Sequence, residues 1–233
     1  MKKFWNWTNG KNSNNESELF LYGAIASETW FGDEVTPEMF RNDLNQHVGD
    51  VTVWINSPGG DVFAASQIYT MLKNHNGKIT VKIDGIAASA ASVIAMAGDE
   101  TLIAPTGMLM IHNPSTTAWG DKAELQKAII LLDEIKESII NAYETKTNLS
   151  RAKIARMMDE ETWLNAKKAK SLGFVDGILF SKEPEQIAEE PETENISMKR
   201  IRQSFLQKVS ASAKSSKTIL IQQLEQRLEL LKY

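Results

Sequence analysis

The sequence predicts an α/β domain built on a parallel sheet, because strand-like and helix-like segments alternate along its middle part. Residues 51–55 are mostly β-branched and apolar, and apolar side chains recur at helical spacing over residues 64–72. Ile79, Val81 and Ile83 then alternate with polar residues, as a second strand does. Strands separated by helices in this order favour a parallel sheet with right-handed crossovers. Functional residues are then expected at the carboxyl ends of the strands.

The following segments continue this alternation and end in a long helix. The alanine-rich residues 87–97 predict a buried helix, and short strands are expected near residues 101–104 and 108–111. One face of a helix over residues 121–143 carries the apolar side chains Leu125, Ile129, Leu132, Ile135, Ile139 and Tyr143. The length of this helix favours an extension beyond the globule, where it packs against a second subunit, although an ordinary core helix is the alternative.

Composition predicts four regions along the chain. Residues 1–17 are read as a flexible N-terminal arm, since residues 11–17 are rich in Asn, Ser and Lys, and the compact domain covers residues 18–181. Residues 182–197 form an acidic linker with six glutamates and two prolines between 183 and 194. Residues 198–233 form a basic tail. Its apolar residues Ile221, Leu224, Leu228 and Leu231 predict either a helix that binds a partner or an amphipathic tail that frays.

Several function classes are excluded by what the sequence lacks. Without cysteine there is no thiolate nucleophile or thiolate metal ligand. Ligand-spaced His, Asp and Glu clusters and the lysine of a phosphate-binding loop are missing, so we expect neither metal nor cofactor. The formal charge of -4 argues against nucleic-acid binding through overall charge. With no signal peptide and no apolar run of membrane-spanning length, a cytoplasmic protein is expected.

Serine chemistry has two candidate nucleophiles. Ser89 follows a strand and opens the next helix, where unpaired backbone N–H groups and the helix dipole favour negative charge. Its small neighbours would let a substrate backbone approach closely. An alanine-rich helix is, however, often just a tightly packed one, and Ser92 is nearly as eligible.

The candidate base and the candidate amide donors lie at two other strand ends. His112 directly follows an apolar strand, whereas His47 and His75 sit in polar stretches that are typical of surfaces. Residues 57–61 read Ser-Pro-Gly-Gly-Asp after a strand, and their backbone could present N–H groups to a reacting carbonyl. The alternative for this segment is a plain turn in which Asp61 caps the next helix.

In this order, these segments resemble the proteolytic subunit of the Clp protease (ClpP) family, in particular its relatives encoded by phages and prophages. The resemblance runs from about residue 19 to 179. It rests on Ile-Asn-Ser-Pro-Gly-Gly at 55–60, Gly-x-Ala-Ala-Ser at 85–89, Met-Ile-His-Asn-Pro at 110–114 and Ala-x-x-x-Gly-x-Val-Asp at 169–176. The implied fold is a ClpP/crotonase-like spiral of βα units. The long helix would be a protruding handle that interleaves between stacked rings.

The resemblance also implies the roles of the site residues. Ser89 would be the nucleophile and His112 its base, with the backbone N–H groups of Gly60 and Ala90 as oxyanion donors. At the third position the family usually has aspartate three residues before a leucine, and this chain has Glu161. Glu161 is therefore expected to orient the imidazole. Asp159 and Glu160 are alternatives, as is a dyad with all three carboxylates on a solvated turn.

The function implied is a serine endopeptidase that cleaves proteins or peptides inside a homo-oligomeric chamber. An N-terminal arm and a C-terminal extension on such a core resemble phage head-maturation proteases. Capsid and scaffold proteins would then be the substrates, and the host cytoplasm or the assembling prohead would be the place of action. The arm does not resemble the axial loops that contact an unfoldase, so an unfoldase partner stays open. The alternatives are a catalytically silent ring-forming assembly protein and a crotonase-like acyl-CoA enzyme that uses paired amide donors.

Overall fold

The computed structural model of the protein describes residues 7–9, 17–27, 37–47 and 49–181. By its contacts the chain divides into two compact units, Met1–Pro184 and Glu185–Tyr233. The predicted acidic linker at residues 182–197 and the predicted basic tail at residues 198–233 lie outside the described residues. The predictions for these two segments therefore stay predictions.

The described part of the chain is organised around one sheet of eight strands. Along its main path the order is β1-β2-β3-β4-β5-β8, and β6 pairs with β4 and with β7. Pairing is parallel except for β1 with β2 and β6 with β7. The predicted α/β class is thus confirmed. The strands are β1 Trp7–Asn9, β2 Ser17–Tyr22, β3 Val51–Ser57, β4 Ile79–Ala88, β5 Glu100–Ile103, β6 Met108–Ile111, β7 Thr162–Asn165 and β8 Gly177–Ile178.

Helices connect most of these strands and share one apolar core with the sheet. The helices of the described part are α1 Pro37–Leu44, α2 Val62–Lys73, α3 Ala90–Ala95, α4 Lys122–Glu144, α5 Arg151–Asp159 and α6 Ala166–Ser171. Side chains of β3 and β4 such as Val53 and Ile83 are fully buried, as are Ala65 and Ile68 of α2. Burial of these apolar side chains is the main stabilising contribution to such a domain.

Strand β4 is longer than the sequence predicted. The helix expected from residue 87 begins only at Ala90, and the strand continues to Ala88. Residues 80–83 of β4 pair with β5, while residues 86–88 pair with β6 in the register Ile86↔Met108 to Ala88↔Met110. Alanine suits a buried strand or a helix, so pairing with β6 decides the conformation. As a result, Ser89, which directly follows β4, lies at the carboxyl end of β6.

Helix α4 has the expected length but two different halves. It begins with a capping box, in which the Asp121 side chain accepts from the Glu124 N–H and the Glu124 side chain accepts from the Asp121 N–H. Most residues of its first half are exposed, including the apolar side chains of Leu125, Ile129, Ile130 and Leu131. In its last turns Ile139, Ile140, Ala142 and Tyr143 are buried. Only the second half of the helix therefore belongs to the core of the subunit.

The segment interpreted as an N-terminal arm contains one strand. Trp7–Asn9 pairs antiparallel with β2, in the register Trp7↔Leu19 to Asn9↔Ser17, and Ser17 is itself the first residue of β2. These residues lie at the edge of the sheet, and the others of residues 1–16 are outside the described part. Among the described helices, none has the length and apolarity that crossing a bilayer requires.

Candidate active site

Ser89 and His112 are joined by a hydrogen bond between the side chains. The distance between Ser89 Oγ and His112 Nε2 is 2.7 Å. The two residues meet because β4 and β6 are neighbours whose parallel pairing ends at Ala88↔Met110, just before Ser89 and two residues before His112. The Ser89 N–H donates to the Met110 carbonyl at 2.9 Å, which extends this pairing by one residue. The two strand ends therefore fix the spacing of the pair.

Ser89 has a backbone conformation that few non-glycine residues adopt. Its φ is 54° and its ψ is -124°. It occupies the N-cap position of α3, yet its hydroxyl makes no capping hydrogen bond to that helix. The hydroxyl instead contacts His112. Backbone strain of this kind is concentrated at functional sites, where the surrounding structure holds it in place.

The other serine considered from the sequence lies in a different environment. Ser92 is completely buried, and its Oγ donates to the Ser89 carbonyl at 2.6 Å. The same Oγ lies 2.8 Å from the hydroxyl of Tyr143 in α4. Ser89 lines the open cavity described below, and Ser92 does not. Of the two serines, only Ser89 is within reach of both an imidazole and a substrate.

The glycine turn after β3 approaches the Ser89 backbone closely. A Cβ on Gly59 would lie 2.6 Å from the Ala88 carbonyl oxygen and 2.8 Å from the Ser89 Cβ, and a Cβ on Gly60 would lie 2.0 Å from the Ile25 carbonyl oxygen. Both glycines also have positive φ, 97° and 147°. Residues without a Cβ are therefore required at both positions.

Within the described part of the chain, two backbone N–H groups at the cavity beside Ser89 have no backbone acceptor. Ile25 donates to the Gly59 carbonyl and accepts from the Asp61 N–H, so this pairing bypasses the Gly60 N–H, for which no backbone acceptor is found among the described residues. Ala90 is the first residue of α3, where an N–H group has no partner within its helix. Asp61 caps α2 by accepting from the N–H groups of Phe63 and Ala64, as the turn interpretation predicted. The segment is thus a helix cap and a source of a free amide donor at once.

An open cavity of about 400 Å³ adjoins the pair. Ser89, His112 and Gly60 form one side of it, and apolar side chains of α4, including Leu132, Ile135 and Ile139, form another. Apolar lining with a few convergent polar groups is typical of a site that binds organic ligands.

The three candidate carboxylates occupy different positions around this site. Glu161 has a φ of 48°, and its Oε1 accepts from Trp163 Nε1 at 3.2 Å. Asp159 Oδ1 accepts from Lys136 Nζ at 2.5 Å and from Asn113 Nδ2 at 2.9 Å. The ammonium of Lys136, aided by Asn113, lowers the pKa of Asp159.

Glu160 is the exposed C-cap residue of α5. Within the described residues, none of the three carboxylates accepts a hydrogen bond from His112.

The register of β6 and β7 distinguishes Glu161 from the other two carboxylates. The antiparallel pairing runs from Met108↔Asn165 to Ile111↔Thr162. One further step in this register would place His112 opposite Glu161. Directly opposed residues in an antiparallel pair have neighbouring side chains. Sequence reasoning reached Glu161 through the family pattern alone, because β7 and its register were not predicted.

The two remaining histidines lie elsewhere and bond to other groups. His47 Nδ1 is 2.7 Å from Ser17 Oγ, and His75 Nε2 is 2.6 Å from the Gly49 carbonyl oxygen. Both are partly buried rather than fully at the surface, and burial lowers the pKa of His47. They take part in packing at the ends of α1 and α2.

A serine hydroxyl bonded to an imidazole, with unpaired amide donors beside it, is the arrangement of serine hydrolases. Comparison with known proteins narrows this class. The profile of the Clp protease family, described as "Clp protease", matches residues 8–182. The chain belongs to this family, and it is a serine-type peptidase.

Individual relatives support the same assignment. The chain is 34% identical over 152 residues to the ATP-dependent Clp protease proteolytic subunit 1 of Chlamydia muridarum. The aligned region covers 64% of this chain and 79% of that subunit. The proteolytic subunit 1 of Chlamydia abortus is 34% identical over 131 residues, an alignment that covers 54% of this chain and 68% of that subunit. The ATP-dependent Clp protease proteolytic subunit of Bacteroides fragilis is 29% identical over 135 residues, an alignment that covers 57% of this chain and 65% of that subunit.

The close contact at Gly59 predicts a sharp effect of one methyl group. In Gly59→Ala the new Cβ would clash with Ala88 and Ser89 at a φ that alanine adopts with strain, so Ser89 must move relative to His112. We expect the rate of fluorophosphonate labelling of the assembled protein to fall by about tenfold or more. Gly49→Ala is the control, because Gly49 also has a positive φ but has open space around its Cβ position. Equal labelling rates in the two variants would contradict the prediction.

Proposed function

We propose that the protein is an endopeptidase in which Ser89 attacks the carbonyl carbon of a peptide bond and His112 is the general base. The observation that carries this proposal is the 2.7 Å contact between Ser89 Oγ and His112 Nε2 at the edge of the cavity. As Oγ bonds to the carbonyl carbon, its proton passes to Nε2. The imidazolium then protonates the leaving amine as the peptide C–N bond breaks.

The second half of the reaction reverses the use of the same groups. Water replaces the departed amine, His112 takes its proton, and the hydroxide attacks the acyl ester on Ser89. The proton then returns to Ser89 Oγ as the product acid leaves. In both halves, the N–H groups of Gly60 and Ala90 are proposed to donate to the oxyanion. Their lack of backbone acceptors supports this, since a preorganised donor needs no rearrangement when charge develops.

Glu161 is proposed as the group that orients His112 and stabilises its cation. Its support is the register of β6 and β7, in which one further step beyond the last pair, Ile111↔Thr162, would place it opposite His112. To bind the imidazole, the carboxylate would give up its contact with the Trp163 indole, which is a neutral donor. Asp159 would first have to leave the ammonium of Lys136.

The substrate class is proposed to be protein or peptide chains, and the working form a homo-oligomeric ring. The exposed first half of α4 supports this, because Leu125, Ile129, Ile130 and Leu131 form apolar surface that a second copy would cover. The apolar side chains of α4 that reach the cavity would contact a side chain of the substrate. Cleavage would then take place inside the chamber that the ring encloses.

Replacing Ser89 tests the proposed nucleophile. In Ser89→Ala, fluorophosphonate labelling and peptide cleavage should both disappear, because no other serine of the described residues is bonded to His112. Mass spectrometry locates the label, and sedimentation of the same wild-type preparation should show a species of several subunits.

Correctly assembled wild-type protein that takes no label would favour the silent assembly protein. Turnover of an acyl-CoA thioester that survives Ser89→Ala would favour a crotonase-like acyl-CoA enzyme. A fully active monomer would contradict the proposed homo-oligomeric ring.

Three carboxamide variants test the proposed acid. Glu161→Gln should lower kcat by about a hundredfold or more, since loss of the orienting carboxylate leaves the imidazolium unsupported. Glu160→Gln is the matched control and should retain activity. Asp159→Asn should have a smaller effect than Glu161→Gln, because Asp159 contacts the residue after His112 and not the imidazole. A larger loss in Asp159→Asn would transfer the role to Asp159, and full activity in all three variants would favour a dyad.

For the biological setting we propose the phage or prophage branch of the family and a role in head maturation. The support is that residues 183–233 lie beyond the family match, which ends at residue 182. These residues comprise most of an acidic segment followed by a basic one with a short heptad pattern. Such a tail suits recruitment into an assembling shell, where scaffold and capsid proteins are cut.

Truncation tests this setting. A chain that ends at residue 183 should keep its cleavage of small peptides, because every residue of the proposed site precedes that point. Its incorporation into proheads is measured by sedimentation and immunoblotting of assembled particles. Incorporation should fall by about tenfold, because losing the coiled-coil contact weakens the affinity of the chain for the particle. Undiminished incorporation would contradict the recruitment role.

A further inference from the structure

A chain of buried hydrogen bonds connects helix α4 to the backbone of Ser89. Ser92 Oγ lies 2.6 Å from the Ser89 carbonyl oxygen, and the Tyr143 hydroxyl lies 2.8 Å from Ser92 Oγ. We propose that Ser92 and Tyr143 are positioning residues that hold the nucleophile in its reactive conformation. This inference rests on the proposed function of Ser89.

The direction of these hydrogen bonds follows from the groups involved. A carbonyl oxygen can only accept, so Ser92 Oγ donates its proton to Ser89. The lone pairs of Ser92 Oγ are then available to accept from the Tyr143 hydroxyl. Burial raises the pKa of Tyr143, so this hydroxyl keeps its proton and remains a donor throughout the neutral range. The two residues thus form a chain with one consistent direction, from α4 to Ser89.

Burial makes this chain more than a local contact. Ser92 is 0% exposed and Tyr143 is 1% exposed, so neither hydroxyl can exchange its protein partner for bulk water. Hydrogen bonds in such surroundings are stronger, and an unpaired member is costly. The Tyr143 ring is further fixed by an edge contact with Phe174, with ring centroids 5.7 Å apart. The position of the Tyr143 hydroxyl is therefore well determined.

The conformation of Ser89 explains why it needs such support. Its positive φ is strained, and the peptide groups on both sides must be held for the strain to persist. The preceding one is held by the N–H bond of Ser89 to Met110. The carbonyl of Ser89 receives two donors from a single residue, the N–H of Ser92 at 2.9 Å and its hydroxyl at 2.6 Å. Removing the hydroxyl leaves one donor and permits rotation of the Ser89 carbonyl.

Helix α4 consequently contacts the site in two ways. Leu132, Ile135, Ile139 and Tyr143 line the proposed substrate cavity, and the Tyr143 hydroxyl also reaches the nucleophile through Ser92. Ser92 is not among the residues that line this cavity, so its effect on catalysis has to pass through Ser89. A loss of this support should lower the rate of the chemical step and leave substrate binding almost unchanged.

The test compares Ser92→Ala, Tyr143→Phe and the double variant in the full-length assembled protein. With a fluorogenic peptide, Ser92→Ala should lower kcat by about tenfold, with KM changed less than about twofold. Tyr143→Phe should lower kcat by a smaller factor, about threefold. Because Tyr143→Phe keeps the ring at the cavity and removes only the hydroxyl bonded to Ser92, the double variant should be no slower than Ser92→Ala. Rates of fluorophosphonate labelling should follow kcat.

Two matched controls separate positioning from stability. Thr101→Val removes a buried hydroxyl that donates to Ala95 at the other end of α3, at 3.1 Å. Tyr69→Phe removes the hydroxyl of a tyrosine that contacts Thr145, at 3.4 Å. Both should keep the wild-type kcat, even where Thr101→Val lowers the melting temperature as much as Ser92→Ala does.

Three results would overturn the inference while leaving the proposed function intact. They are an unchanged kcat in Ser92→Ala, an equal loss of kcat in Thr101→Val, and multiplicative losses in the double variant. Wild-type protein that is not labelled at Ser89 would instead overturn the proposed function, and this inference with it. The two failures are therefore distinguishable in one set of measurements.

Discussion

The site depends on one close contact between two backbone segments, the turn at residues 57–60 and the end of β4. Ser57 still pairs with Ala87 in the sheet, and its buried hydroxyl accepts from the Gly59 N–H at 3.1 Å, which folds the turn back over the strand end. A side chain at Gly59 would occupy the space of Ala88 and Ser89. This contact brings the turn to the cavity where the Gly60 amide is proposed to stabilise the oxyanion of the intermediate formed on Ser89.

The second requirement is that β4 changes its partner along its length. Its first half pairs with β5 and carries core side chains such as Val81 and Ile83, while its last residues pair with β6. A strand that ended at Ile83 would lose its pairing with β6 and would not bring Ser89 to the strand end that precedes His112. The extension through Gly85 to Ala88 is thus the part of β4 that serves the site. Gly85 is needed there because a Cβ would meet the Asn56 side chain at 2.5 Å.

Much of the fold could be predicted from the sequence, because its strands and its long helix have clear periodicity. The strands at residues 51–55 and 79–83 and the helix at 121–143 are confirmed to within a few residues. The alanine-rich run at residues 87–97 was assigned wrongly at its start, since alanine has no side-chain pattern that separates a buried strand from a helix. The short strand β7 was missed because its four residues carry only one buried apolar side chain, which is too few to show a periodic pattern.

The candidate site could be predicted only in part, because burial and contacts between distant residues distinguish its members only in the folded structure. The scarcity of histidine identified His112, and composition alone left Ser89 and Ser92 almost equal. The structure distinguishes them by accessibility, since Ser92 is buried under Tyr143 while Ser89 opens to the cavity. A buried hydrogen bond between residues 51 positions apart leaves no mark in a single sequence, so the support for Ser89 from α4 could not be foreseen.

Charge compensation gives Asp159 and Glu161 different capacities. The charge of Asp159 is already neutralised by Lys136, which is why its pKa is low, and its second partner fixes the loop through Asn113. An imidazolium gains little from a carboxylate that is shared with an ammonium. Glu161 forms no ion pair within the described residues and accepts a hydrogen bond from a neutral indole, so none of the described cations competes for it. Electrostatics and register therefore favour the same assignment, in which Asp159 holds the backbone around the base and Glu161 supports its cation.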